Sequence, residues 1–251
     1  MKKWHYKTAS DLDQPLVERL KRFPREPDMT VYVLRSAVAL AIRAFLKVYH
    51  RFRISGKENL PTGGSFIMVA NHSSHLDALC LLSALPLRKL HRAFPAAAKD
   101  YFFENVPRLA IAAVIVNALP FDRESKIRNS LRMCRELLSN PGNVLVIFPE
   151  GTRSTTGEIG EFKPGIGMLV DHAKVPVVPC YIDGALKAWP KGCSLPRPRR
   201  IRLIIGAPRS YGEARHGRET ALEIAQDLRQ AVVELAGARL AGSPAKPKVT
   251  V

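Results

Sequence analysis

The chain has 251 residues, 46% hydrophobic and 24% charged, which is long and apolar enough to bury a substantial core and rules out a disordered polymer. Its four cysteines (Cys80, Cys134, Cys180, Cys193) are dispersed with no C-x-x-C pair, and Cys80 and Cys180 lie in apolar stretches and read as core thiols rather than ligands or bridges, which favours a reducing compartment. A formal charge of +17 points to a polyanionic partner, nucleic acid or an anionic lipid surface, and charge alone does not separate the two.

The N-terminus opens Met-Lys-Lys but lacks the apolar core of a signal peptide. Leu12–Phe23 and Met29–Tyr49 read as consecutive basic amphipathic helices. At about 100° per residue, Arg35, Arg43 and Lys47 fall in one sector with Ser36 and His50, while Val31, Leu34, Val38, Ile42, Phe45, Leu46 and Tyr49 fill the rest. No segment is expected to cross a bilayer, because the best candidate carries three cations across its length. Such helices suit a membrane interface, although a helix packed on the domain's own core has the same pattern.

Pro61–Gly64 predicts a turn, and Ser65–Ala70 a strand without alternation, hence buried on both faces. A helix is expected over Asp77–Leu85, stopped by Pro86, then a basic stretch Leu87–Arg92. Leu109–Val116 is apolar and reads equally as helix or strand. Helices follow at Ser125–Ser139, Phe162–His172 and Glu219–Leu240, and strands at Val144–Phe148, Val177–Ile182 and Ile201–Ile205. This alternation predicts an α/β fold: a single domain with a mixed, largely parallel sheet flanked by helices, preceded by an N-terminal amphipathic helical membrane-docking element. The expected division is 1–53 for docking helices, 54–241 for the α/β domain and 242–251 for a disordered tail.

Two loops after predicted strands carry the chemistry. Asn71-His72-Ser73-Ser74-His75-Leu76-Asp77 offers an imidazole with a carboxylate five residues on. They meet if His72 sits in the loop and Asp77 in the first helical turn, and the carboxylate then fixes the tautomer and supports the imidazolium. Two other readings stay open here. Ser74-x-x-Asp77 matches a capping box, and His72, His75 and Asp77 loosely resemble a metal cluster, although no metal-binding motif is present and none is expected.

Phe148-Pro149-Glu150-Gly151-Thr152-Arg153-Ser154 places an acid, a flexible turn, a hydroxyl and a guanidinium at a strand's carboxyl end, where open α/β sheets bind ligands. Arg153 suits a phosphate and Gly151 permits close backbone approach, while an internal Glu150–Arg153 ion pair is the bland alternative. Arg123 is a further anion candidate, or a surface partner of Asp122 or Glu124. Neither a G-x-S-x-G elbow nor a phosphate loop occurs, and Gly165-Ile166-Gly167 lacks the third glycine of a dinucleotide site. General-base transfer without a covalent enzyme intermediate fits best.

These blocks, taken together, resemble the PlsC-like glycerolipid acyltransferases, whose type member is 1-acyl-glycerol-3-phosphate acyltransferase. The resemblance runs over roughly 54–206 and continues in order through Phe121-Asp122-Arg123, Phe162-Lys163-Pro164-Gly165 and Val175-Pro176-Val177-Val178-Pro179. It implies that His72 is the base and Asp77 its orienting carboxylate. Arg123, Glu150, Gly151, Thr152 and Arg153, with Asn71 and Lys163 nearby, would serve the glycerol-phosphate head group, and Pro179 the acyl-donor side. The implied reaction moves a fatty acyl group from acyl-CoA or acyl-carrier protein, as donor substrate with no cofactor, to a lysophospholipid. The default acceptor is lysophosphatidic acid, with glycerol 3-phosphate, another lysophospholipid or a lyso-aminolipid as alternatives. The expected place is the cytoplasmic face of the membrane, peripheral or monotopic, with an anionic surface as partner and no nucleic acid. Asn117-Ala118-Leu119-Pro120 departs from the glycine and β-branched residues usual before the family's arginine. A non-catalytic binder of anionic surfaces is the competing class, supported by the charge and by Arg197-Pro198-Arg199-Arg200.

Overall fold

The computed structural model describes residues 29–98, 117–121, 127–173, 175–211 and 217–240. The expectations for Leu12–Phe23, Leu109–Val116, Arg123 and the tail lie outside the described residues.

A seven-stranded sheet carries the domain, in the order β1-β7-β6-β2-β5-β3-β4. Its strands are β1 (Arg53–Ser55), β2 (Phe66–Ala70), β3 (Ala93–Ala98), β4 (Leu119–Phe121), β5 (Val144–Ile147), β6 (Val177–Asp183) and β7 (Arg202–Ile205). Five run parallel; β7 is antiparallel to β6, and β1 follows β7, so the sheet is mixed and largely parallel. The uninterrupted apolar runs of β2 and β5 are explained by position: they pair with each other mid-sheet and every residue is buried. At the edge, β1 is exposed at both ends.

Helices cover both faces. Phe66, Met68 and Ala70 pack with α1 (Met29–Tyr49) and α2 (Asp77–Ala84), while Ile67 and Val69 face α3 (Ile127–Ser139), α4 (Gly165–Ala173) and α6 (Arg218–Leu240). A short α5 (Ala185–Ala188) follows β6. Gly167, which carries no dinucleotide chemistry, sits where α4 crosses α6; a Cβ there would lie 1.9 Å from Ala221 O, so only glycine allows the approach. Cys80 and Cys180 are fully buried, and burial pushes both thiols upward.

The first helix differs from the sequence expectation in two respects. It is long and apolar enough, by length and composition, to cross a membrane. It is also packed inside out. Arg35 is buried and donates to Asn117 Oδ1 at 3.3 Å, and Arg43 donates to Leu85 O. Val33, Leu34, Leu40, Phe45 and Val48 are exposed, Val48 by 78%. The cations that argued against a spanning helix are thus turned towards the protein, which leaves only Lys47 of the three outside. Asn117, the departure noted before Arg123, is what makes this possible. It takes left-handed backbone (φ 54), as a glycine would, and its amide donates to His91 O and Ala93 O while accepting from Arg35.

Candidate active site

β2 and β5 are neighbours in parallel register, Val69 opposite Ile147, so the loops after them emerge side by side at one end of the sheet. Sheet topology alone therefore brings His72 to the Glu150–Ser154 loop. Two backbone-directed bonds lock the junction: His72 N donates to Glu150 Oε1 at 2.7 Å, and Ser154 N to His72 O at 2.8 Å.

Asp77 is fully buried in the first turn of α2, and its Oδ2 accepts from His72 Nδ1 at 2.8 Å, Ser73 N at 2.6 Å and Ser74 N at 2.8 Å. An oxygen that already accepts from two amides is acceptor-only, so Nδ1 carries the proton and the Nε2 lone pair is left as the base. The capping and catalytic readings are therefore not alternatives, since the same oxygen closes the turn and orients the ring. No side-chain cap is supplied by Leu76, the residue at the helix start. The other face of the imidazole stacks on Phe148, ring centroids 4.2 Å apart and 16° between planes. His72 is held on an edge and a face, yet its side chain stays 18% exposed, which leaves Nε2 reachable from solvent.

His75 turns away from Asp77 Oδ2 towards the other loop. Arg153 Nη1 lies 2.8 and 2.7 Å from its two ring nitrogens, and Trp189 tilts against it at 5.2 Å. Burial holds the His75 pKa below the ordinary histidine value, with Arg153 and His72 acting the same way, so it is neutral beside the guanidinium at pH 7. Since His72 and His75 face different partners, they do not form a ligand set; among the described residues no cluster of three or more His, Cys, Asp or Glu is placed to hold a metal.

The remaining predicted residues fall into two groups. Glu150 and Asn71 are struts. Glu150 is buried, its second oxygen accepts from Gly160 N at 3.1 Å, and burial raises its pKa against the opposing pull of both amide donors. It makes no ion pair with Arg153. Asn71 exchanges two hydrogen bonds with the backbone of Ile182 on β6, at 2.8 and 3.0 Å. Gly151, Thr152, Arg153 and Lys163 make the open side. Gly151 is left-handed (φ 75), and a Cβ there would meet Lys163 Cε at 2.8 Å, so the lysine lies across the turn. Thr152 and Lys163 are exposed. Pro179 is buried opposite Val69, with its ring against Gly206, inside the sheet rather than at the loops.

Several contributors had no sequence signal. Ser74 Oγ donates to Trp189 O at 2.7 Å, which ties the catalytic loop to the segment after α5, 115 residues later. The Gly160 amide and the Trp189 ring are equally unforeseeable from spacing. Phe148 was within sight, as the aromatic that ends the β5 run.

The profile of the Acyltransferase family matches residues 51–183. The chain is 33% identical over 165 residues to a chloroplastic 1-acyl-sn-glycerol-3-phosphate acyltransferase from Arabidopsis thaliana, a match covering 64% of this chain but 44% of that protein. It is 29% identical over 200 residues to a 1-acyl-sn-glycerol-3-phosphate acyltransferase from Bacillus subtilis, covering 79% of this chain and 92% of the relative. The match thus spans less than half of the plant protein and nearly all of the bacterial one. The crystal structure of the 1-acyl-sn-glycerophosphate acyltransferase PlsC from Thermotoga maritima superposes with a TM-score of 0.61 at 26% identity, over 84% of both chains.

Proposed function

The chain belongs to the acyltransferase family, and from that premise we propose that it moves a fatty acyl group from a thioester to the free hydroxyl of 1-acyl-glycerol-3-phosphate, giving phosphatidic acid. The observation that carries the reading is the Asp77–His72 pair at 2.8 Å, with Nε2 open at the carboxyl end of β2. In this mechanism Nε2 takes the acceptor's hydroxyl proton while that oxygen attacks the thioester carbonyl. Asp77 stabilises the imidazolium, and collapse of the tetrahedral intermediate expels the thiolate, which recovers the proton from His72. No covalent bond to the protein forms.

Arg153 and Lys163 are the cations we assign to the acceptor's phosphate, with Arg123 as a third from outside the described residues. Gly151 and Thr152 shape the floor beneath it. Glu150 and Asn71 act by holding the loops rather than by touching the anion, since their polar atoms are occupied by backbone groups. Coenzyme A and acyl-carrier protein are both suitable donors, and Pro179 bears on the donor side only through the sheet it packs in. The outward apolar face of α1 supports a place at the membrane; the cytoplasmic side is our assignment, made because lysophospholipid and thioester would meet there.

The test is direct. Purified protein in neutral detergent, given acyl-CoA and 1-acyl-glycerol-3-phosphate, should release free thiol and form phosphatidic acid. His72→Ala should abolish both while leaving the circular dichroism spectrum unchanged. Full turnover by that variant would remove His72 from the chemistry. Replacing the acceptor by glycerol 3-phosphate or another lysophospholipid ranks the alternatives.

A further inference from the structure

A strongly basic surface lies on the same end of the sheet as His72, and the mechanism makes no use of it. From Gly184 to Gly212 the chain carries seven Lys and Arg and no acid; from Met29 to Lys57 it carries six and no acid. The fold brings these two segments together. Ile201 N donates to His50 O and Arg53 N to Ile201 O, both at 3.1 Å, and Arg53 stands directly opposite Arg202 across β1 and β7. Because β7 runs antiparallel to β6, with Arg202 opposite Asp183, this corner is level with the carboxyl end of β6, beside the catalytic loop.

Arg51, Arg53, Lys191, Arg197, Arg199 and Arg200 are all exposed, and none makes an ion pair with any described residue. Arg53 and Arg202 repel across paired strands, and Asp183, opposite Arg202 on its other side, is one acid beside many cations, so external counter-charge would stabilise the cluster. In its midst Leu195 is 78% exposed. The next residue, Pro196, accepts from the Tyr49 hydroxyl at 3.1 Å, which seats this loop against the last turn of α1, where Val48 and Phe45 face outward. Cations and exposed aliphatic side chains are thus continuous with a helix about 30 Å long whose outer face is apolar. That combination fits a bilayer surface, with guanidinium groups at head-group phosphates and Leu195 and Val48 in the acyl boundary. An acidic protein would match the cations but would leave the length of the helix face uncovered.

We propose that the 191–200 loop, with Arg51 and Arg53, is a second membrane contact, electrostatic and selective for anionic lipid, which sets the catalytic rim flush with the bilayer. Ser74 and Trp189 connect this contact to the catalytic loop within one hydrogen bond. The proposed acyltransfer is the reason such an orientation is useful, but lipid binding by this surface stands without it.

Flotation of the full chain with phosphatidylcholine vesicles and with equal mixtures of phosphatidylcholine and phosphatidylglycerol tests it. The wild type should prefer the anionic vesicles and lose that preference as salt rises. The triple variant R197E/R199E/R200E should lose about tenfold or more of its partition to anionic vesicles and keep its binding to neutral ones through α1. Leu195→Asp should weaken both. If the triple variant does not fold, the pair K191E/R197E makes the same comparison. Unchanged anionic partition of a folded charge-reversal variant overturns the proposal. Unchanged partition with turnover lost only for a carrier-protein thioester overturns it in favour of an acidic protein partner. Turnover in neutral detergent micelles should survive these changes. Its absence in every form, wild type included, would count against the enzymatic reading and leave the flotation result to decide the contact.

Discussion

The loops after β2 and β5 leave the sheet from adjacent strands, yet they are built on opposite plans. The first is closed: Asn71, Ser73, Ser74 and Asp77 are buried, Asn71 and Ser74 bond the backbone of Ile182 and Trp189, and Asp77 takes the His72 ring and the amides of Ser73 and Ser74. The second is open beyond Glu150, with Thr152 exposed and Arg153 held against the neutral ring of His75. Proton transfer depends steeply on geometry, which favours a fixed frame set before substrate arrives. A phosphate tolerates displacement more readily, and a cation that must meet it can wait on an adjustable partner.

If that division is right, damage to the closed loop should appear in kcat and damage to the open one in KM. Asp77→Asn is the harshest test. Its amide oxygen can still accept from the ring and both backbone donors, which all converge on Oδ2, but it carries no charge to stabilise the imidazolium, and kcat should fall by roughly two to four orders of magnitude with little change in acceptor KM. Arg153→Ala should do the reverse, raising the acceptor KM by about one to two orders of magnitude while kcat changes less; Arg153→Lys should recover only part of the loss. Steady-state kinetics on both variants would merge the two loops into one unit if the parameters moved together.

Glu150→Gln probes the seam between them. Burial already disfavours the ionised carboxylate, so the native pKa lies above the unfolded one, and stability is expected to decline as pH rises from about 4.5 through that raised value. Glutamine removes this charge but turns an NH2 towards an amide that needs an acceptor. The expected cost is about 1–3 kcal/mol in chemical denaturation at neutral pH, and a stabilised variant would mean the seam is dispensable.

A subtler change separates His75 from His72. With its folded pKa depressed, His75 resists a proton that the unfolded chain accepts, so its contribution is present above about pH 6.5 and lost as pH falls through the lower folded value. Protonation sets two cations against each other, and the acceptor KM should rise by a few-fold on the acid side. His75→Gln should flatten that limb of KM while leaving kcat little changed. Thr152→Ala is the mildest expectation, within about threefold on either parameter, because the hydroxyl is solvated.

Much of this was legible in the chain. The unpatterned strands β2 and β5 announced their central place, and the two motifs that follow them carried the base, its carboxylate and the cation. The edge strand Arg53–Ser55 and the segments Ala93–Ala98 and Leu119–Phe121 were silent, because three residues make no period and alanine with proline gives no strand signal. The inward turn of α1 was unreadable for a different reason. Periodicity placed Arg35 and Arg43 on one side of the helix, but which side faces the domain was decided by Asn117 and by the carbonyl of Leu85, both remote in sequence. Pattern defines the faces of a helix, and only the partners choose between them.

Arg35 is made long before its acceptor. The two residues stand 82 positions apart, so at about 5–20 residues per second roughly 4–16 seconds separate their synthesis. Through that interval the contact between Arg35 and Asn117 cannot form, and the aliphatic side of the nascent helix stands uncovered. A ribosome working beside a bilayer would shelter that side at once, so the order of synthesis itself rewards translation close to lipid.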